Sequence, residues 1–336
     1  WLSLSGNLEI WHIVVLSVAL GCINSFDMPA RHSFVINMVN GKEDIGNAIA
    51  LNSMMFNGAR LIGPSVAGIV LASVGEGACF LINALSYIFV IASLMMMRVT
   101  EVREKKERVP MFREMKEGMD YVFGFAPIKH IILLLGLVSL MGASYQVLMP
   151  VYAKDILQGD SHTYGFLMGG AGAGALLGAI YLASRDTVLR LGRLIPAATA
   201  LLSAGLIAIS LSSSFFISMF LIFFTGLGMM AHTAASNTIL QTIADDDKRG
   251  RVMSFYTMAL MGTAPFGSLL AGWMAKVLGT PWTIFIGGAV CLLGALVFYR
   301  RLPELKRLVR PVYVRMGILP EVAEGIRTAS EPGSGT

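Results

Sequence analysis

The chain has 336 residues, of which 55% are hydrophobic and only 14% charged, and its mean hydropathy is +0.68. A soluble domain carries about 25% charged residues, so a water-soluble enzyme is excluded as a class. The net charge of +5 raises the question of nucleic acid, and its placement along the chain answers it.

Nine apolar stretches of spanning length are predicted, at 11–39, 45–73, 77–97, 130–152, 163–183, 194–211, 215–243, 252–275 and 281–299. About 20 apolar residues suffice to cross a bilayer. The chain opens Trp-Leu-Ser-Leu-Ser-Gly, without Met and without a basic leader, so no signal peptide is predicted there. Residues 1–6 read as the end of an earlier span, and an N-terminally truncated chain is expected. Residues 194–244 contain no Lys, Arg, Asp or Glu, and Leu-Ser-Ser-Ser at 211–214 is the natural break between two spans. Cys22, Cys79 and Cys291 each fall inside an apolar run with no ligand spacing around them. They read as small hydrophobes, and neither a metal nor a disulfide is implied.

Charge sets the orientation. Twenty-three of the 26 Lys and Arg residues fall in connections on one side, including the run from Arg98 to Lys129 and the tail from Arg300 to Arg327. The other side has Lys154 and Lys276, and Arg60 lies within a span. The cation-rich side is cytoplasmic by the positive-inside rule, which places the C-terminus in the cytoplasm and makes a nucleic-acid partner unnecessary. Within 98–129, Phe112, Met115, Met119 and Val122 recur at helical spacing among charges. Two readings fit: an amphipathic helix on the membrane surface, or a connector helix.

A repeat is visible at an offset of 204 residues. Gly46, Met54, Gly58, Gly63, Ala67 and Gly68 fall on Gly250, Met258, Gly262, Gly267, Ala271 and Gly272, and span 77–97 falls on 281–299. The expected division is therefore 1–97 as the C-terminal part of a first transmembrane half, 98–129 as a cytoplasmic linker, 130–299 as a complete six-helix half, and 300–336 as a cytoplasmic tail. Parallel halves of this kind are one architecture of secondary transporters.

Several residues stand out. Arg60 and Asp27 flank the first hairpin at similar sequence distances, so both fall at a similar depth at 1.5 Å of rise per residue. Charge at bilayer depth calls for a partner. The pair reads either as a proton-coupling or gating device, or as a static bridge that locks the hairpin. His232 is the only ionisable residue between Arg193 and Asp245. It reads as a proton relay or as a neutral hydrogen-bonding group. Asn83, Tyr145, Gln146 and Asn237, with Asn52, Asn57, Thr225 and Tyr256, could line a cavity or simply bond between helices. The run Gly165, Gly169, Gly170, Gly172, Gly174 and Gly178 lacks a phosphate-loop ending. Its spacing predicts a helix-packing face.

Phe-Asp-Met-Pro-Ala-Arg-His-Ser-Phe at 26–34, with Asn-Ala-Ile-Ala-Leu-Asn at 47–52, resembles the major facilitator superfamily. The similarity is to the branch of enterobactin-type siderophore exporters and macrolide or drug efflux pumps, the transmembrane secretion effector type. Gly58, Gly63, Pro64 and Gly68 are similar to the antiporter motif of that branch's fifth helix, and Ser184 to Arg193 loosely matches its loop motif. The resemblance implies an all-α integral membrane fold of two pseudo-symmetric six-helix halves, the first incomplete, with about nine spans present. It implies a monomeric secondary transporter in the bacterial inner membrane, using the proton gradient and no cofactor. Export of a siderophore, drug or other amphipathic small molecule by alternating access is the leading expectation. An importer or lipid flippase, or a non-transporting receptor or assembly protein, are the alternatives.

Overall fold

The computed structural model describes the backbone of residues 2, 5–37, 45–96, 111–184, 191–245 and 248–315. Side chains are described across these ranges except at 24–37, 111–115, 183 and 315 and over most of 45–76. Every regular element among the described residues is a helix.

α1 spans Ile10–Asn37 and α2 spans Ile45–Met96. α2 is two spans end to end: at Gly75 the backbone turns to φ 79° and ψ 176°, a region essentially closed to residues with a Cβ. The break falls between the predicted spans 45–73 and 77–97. α3 follows at Met111–Gly124.

The next span, Ala126–Ile156, is a composite. α4 (Ala126–Leu137) begins with a proline in its first turn, where the missing N–H costs nothing. A π-helical turn at Val138–Gly142 joins it to α5 (Tyr145–Val151), and a second at Tyr152–Ile156 closes it. α6 (Ser161–Ala183) is capped by Asp160, whose carboxylate accepts the backbone N–H groups of His162 and Thr163 at 3.0 and 3.1 Å. Those donors, Thr163 foremost, hold the Asp160 carboxyl below the usual carboxylate range.

α7 (Leu191–Ser210) and α8 (Phe215–Ile243) are separated at the serine-rich break. α9 (Arg249–Thr257), a π turn at Met258–Gly262 and α10 (Ala264–Leu278) form one more composite span. α11 (Thr280–Arg315) covers the predicted span 281–299 and continues without a break through Pro303 and Pro311. Phe298, Leu302, Leu305 and Val309 keep a buried stripe going at helical spacing, so the helix persists past the point where its charges begin.

Seven helices among the described residues are long and apolar enough to cross a membrane. The described residues of each of the nine predicted spans fall on a helix or on consecutive helical segments. The described hydrophobic core runs from Val122 to Val309. Within it α6 and α8 cross at backbone contact: a Cβ on Gly174 would sit 1.8 Å from the Phe223 carbonyl oxygen, and one on Gly226 would sit 2.0 Å from that of Ala171. Gly170 and Gly178 also face α8, whereas Gly169 faces open space. Of the predicted glycine run, Gly170, Gly174 and Gly178 thus form a packing face against α8, and Gly169 does not belong to it. By contrast, the large apolar side chains of Ile10–Ile23 and Phe80–Met96 are exposed, as a lipid-facing surface requires.

α3 docks on the protein. Val122 is fully buried, but Met119, predicted on the same face, is exposed. The contact face is rotated by a pair of polar clasps. Arg251 Nη1 donates to Glu117 Oε2 at 2.9 Å, and Tyr121 Oη donates to Asp245 Oδ2 at 3.0 Å. Gly118 lies against Phe255 and Arg251, and the Phe123 and Phe255 rings meet edge to face at 6.4 Å.

Candidate functional site

The α7–α8 interface holds a line of buried polar side chains. Thr199, Ser203, Ser218, Thr225, His232 and Ser236 are all fully buried. His232 and Ser236 are four residues apart on α8 and share a face. On α7, the Thr199 hydroxyl oxygen lies 2.8 Å from the Ile195 carbonyl. The same oxygen lies 2.9 Å from His232 Nδ1. A hydroxyl has one proton, so Thr199 gives it either to the Ile195 carbonyl or to Nδ1, and the tautomer of the ring decides which. Among the described residues Nε2 and Ser236 Oγ have no hydrogen-bond partner. Unpartnered polar atoms in a packed span are costly, which makes His232 and Ser236 a candidate site.

Nearer the other end of the interface, Tyr152 Oη lies 2.7 Å from the Ser212 carbonyl, 3.0 Å from the Ile209 carbonyl and 2.8 Å from Ser218 Oγ. This cluster is fully satisfied and ties α5's end to the α7–α8 turn.

The two π turns at Val138–Gly142 and Met258–Gly262 sit side by side. A π turn leaves backbone carbonyls out of the regular ladder. Ser139 Oγ donates to the Leu260 carbonyl at 2.5 Å, closing one of them. Ser144 Oγ donates to the Leu140 carbonyl of its own span. Both composite spans therefore carry a mid-span irregularity where a helix can bend.

Of the residues singled out from sequence, His232 is buried as described. The helical backbone of α1 carries Asp27, and that of α2 carries Arg60, Gly58, Gly63, Pro64 and Gly68. Their side-chain placement lies outside the described residues, as does any contact between Asp27 and Arg60. Tyr145 is buried and its neighbour Gln146 exposed. Asn237 is half-buried and accepts from Gln241 Nε2 at 2.5 Å on its own helix. Asn83 is exposed on the second segment of α2, where its carbonyl accepts from Ser86. No hydrogen bond among the described residues joins Asn83 or Asn237 to Tyr145 or Gln146. Sequence reasoning missed Thr199, Ser236 and Tyr152. The available signal was polar residues inside the charge-free stretch.

The model of the transmembrane secretion effector family matches residues 1–324. The staphyloferrin A transporter of Staphylococcus aureus (strain NCTC 8325 / PS 47) is 26% identical over 293 residues, covering 85% of this chain and 71% of that protein. The multidrug efflux pump Tap of Mycobacterium tuberculosis (strain ATCC 25618 / H37Rv) is 26% identical over 289 residues, covering 83% of this chain and 65% of the pump. Among solved structures, a bacterial homolog of the human lysosomal transporter Spinster, inward-facing and unoccupied, aligns with a TM-score of 0.49 and 15% identity over 84% of this chain and 74% of that one.

Proposed function

We propose that this chain, which belongs to the transmembrane secretion effector family of major facilitator transporters, exports an amphipathic small molecule, a siderophore or drug, against an inward flow of protons. As a member of that family it is a multi-pass membrane transporter and not an enzyme. The relatives that are a siderophore transporter and a drug efflux pump support the cargo class.

The observation that carries the coupling is His232. Its Nε2 is buried within a membrane span without a partner among the described residues, as is the hydroxyl of Ser236 four residues along the same helix, and the other ring nitrogen lies 2.9 Å from the Thr199 hydroxyl. A proton taken up by the neutral ring converts it into a cation in a place without a described counter-charge. That state is relieved by opening the interface to water or by passing the proton on. The adjacent π turns give two spans a place to bend as the site changes exposure. In this reading Asp27 and Arg60, with Gly58, Gly63, Pro64 and Gly68, serve the gate in the first half, and Tyr145, Gln146, Asn83 and Asn237 contact cargo. The C-terminus is cytoplasmic and the protein works as a monomer.

The test is efflux from cells making the protein, with a panel of amphipathic dyes and siderophores. Efflux of at least one compound is expected, and it should collapse when an uncoupler dissipates the proton gradient. His232→Gln should leave the protein in the membrane and reduce gradient-driven efflux by at least tenfold. Accumulation of the compound, or efflux indifferent to the uncoupler, overturns the assignment.

A further inference from the structure

At the end of the bundle where α11 outlasts its apolar segment, the structure leaves a cleft of about 270 Å³. Its floor is apolar and contributed by four helices: Ile131 of α4, Ile195 of α7, Ile239 of α8, and Leu302 and Leu305 of α11. All five are buried. Its rim is cationic. Lys306 and Arg310, one turn apart on α11, line the same cleft. Arg193, near the start of α7, lies close enough to act on Lys306 electrostatically.

No carboxylate lines this cleft among the described residues. The acid nearest in sequence, Glu304, is taken up by Arg301 at 3.3 Å. Like charges gathered without a counter-ion repel, and an anion seated between them removes that cost. The apolar floor asks for something else, a hydrocarbon that water would otherwise be excluded to accommodate. One chemistry satisfies both: a phosphate with an acyl chain attached.

Depth favours the bilayer as the source. The unbroken apolar run of α11 ends at Tyr299. Seven residues of helix carry Lys306 about 10 Å further, into the headgroup layer that borders the hydrocarbon core. Basic pockets between spanning helices at that level take lipid headgroups. We propose that this cleft is a binding site for an anionic phospholipid, with one acyl chain on the Ile131–Ile239 floor and the phosphate held by Lys306 and Arg310.

The proposal stands apart from the export reading, since lipid occupancy needs no cargo. Native mass spectrometry of the full chain, released from micelles containing phosphatidylglycerol or phosphatidylcholine, tests it. Phosphatidylglycerol should be retained at least fivefold more than phosphatidylcholine. Lys306→Gln with Arg310→Gln should remove that preference, and Lys306→Arg should keep it. Should the double variant fail to fold, Arg310→Gln alone alters only an exposed side chain and should halve retention or more. Leu302→Trp, which fills the floor, should lower retention with the cations intact. Equal retention of the two lipids, unchanged retention in the charge variants, or displacement of the lipid by inorganic phosphate each overturns the proposal.

Discussion

Two stretches of this chain related by the offset of 204 residues share several features and differ in instructive places. The first is α2, Ile45–Met96; the second runs from Arg249 through α10 into α11. At the offset of 204 residues, the helix start at Ile45 falls on that at Arg249. Gly75, at φ 79°, falls on Gly279, at φ 88°. The two glycines thus share a rare backbone conformation at the register that the sequence offset predicts. The shared features are thus punctuation: where a helix starts and where the chain must turn. What differs is side-chain business. The second copy carries the π turn Met258–Gly262, while 54–58 is regular helix. The second copy also holds α3 through Asp245, Arg251 and Phe255. The corresponding first-copy residues are Gly41, Asn47 and Leu51, which offer no acid, no cation and no ring. Among the described residues α3 is therefore held by groups that the three corresponding positions of the first stretch do not offer.

The sharpest way to break the comparison is at Gly267, the counterpart of Gly63. A Cβ there would lie 2.2 Å from the Leu140 carbonyl oxygen and 2.6 Å from Ser144 Oγ. Neither a carbonyl of a packed span nor a serine bonded to it can move aside cheaply. Gly267→Leu is expected to cost more than about 3 kcal/mol and to abolish a monodisperse preparation. Gly272→Leu, five residues on, meets nothing within 4 Å and should leave the melting temperature unchanged or slightly raised, since Leu is the better helix former. A tolerated Gly267→Leu contradicts the close packing of the two composite spans.

The shared punctuation gives the next effect. Gly75 has no atom within 4 Å of a built Cβ, and Gly279 has only the Pro281 ring at 4.0 Å. Any penalty for alanine is then backbone strain alone, about 1–3 kcal/mol at each. The two variants should melt alike. A clear inequality would mean that one turn is not the equivalent of the other.

The π turn separates the copies at a finer level. Ser139 closes the Leu260 carbonyl that the irregular turn exposes. Ser139→Ala should cost about 1 kcal/mol, read as a small fall in the thermal midpoint. No effect would indicate that water serves that carbonyl equally well.

Much of this was legible in the sequence because it is local or periodic. Apolar runs give spans, the recurrence of glycines gives the repeat, and a solitary His232 in a charge-free stretch announces itself. What escaped is what depends on distant residues meeting. Thr199 meets the His232 ring from 33 positions away. Ser236 looks like any small residue of a spanning helix until its buried hydroxyl is seen to have no partner among the described residues. The face of α3 was misread for the same reason: periodicity placed Met119 with Val122, but the partners that rotate the helix are 124 and 134 residues downstream. The extension of α11 past residue 299 was hidden by its charges, which occupy one face while Leu302, Leu305 and Val309 occupy the other.

The smallest expected effect tests the asymmetry itself. Glu117 and Arg251 are partly exposed, at 43% and 28%, so their ion pair is screened and contributes no more than about 1 kcal/mol. Its value is in the pairing, which a double-mutant cycle isolates. Glu117→Gln and Arg251→Gln should each lower stability slightly, and the double variant should lose less than the two combined. The coupling should shrink as salt rises, because exposed charges are screened over about 10 Å at 0.1 M ionic strength. Placing the clasp on the other copy by Asn47→Arg should not rescue Arg251→Gln, since Leu51 cannot supply the ring that Phe255 presents to Phe123. A full rescue would show that α3 can dock on either half, and the comparison would then lose its one-sided clasp.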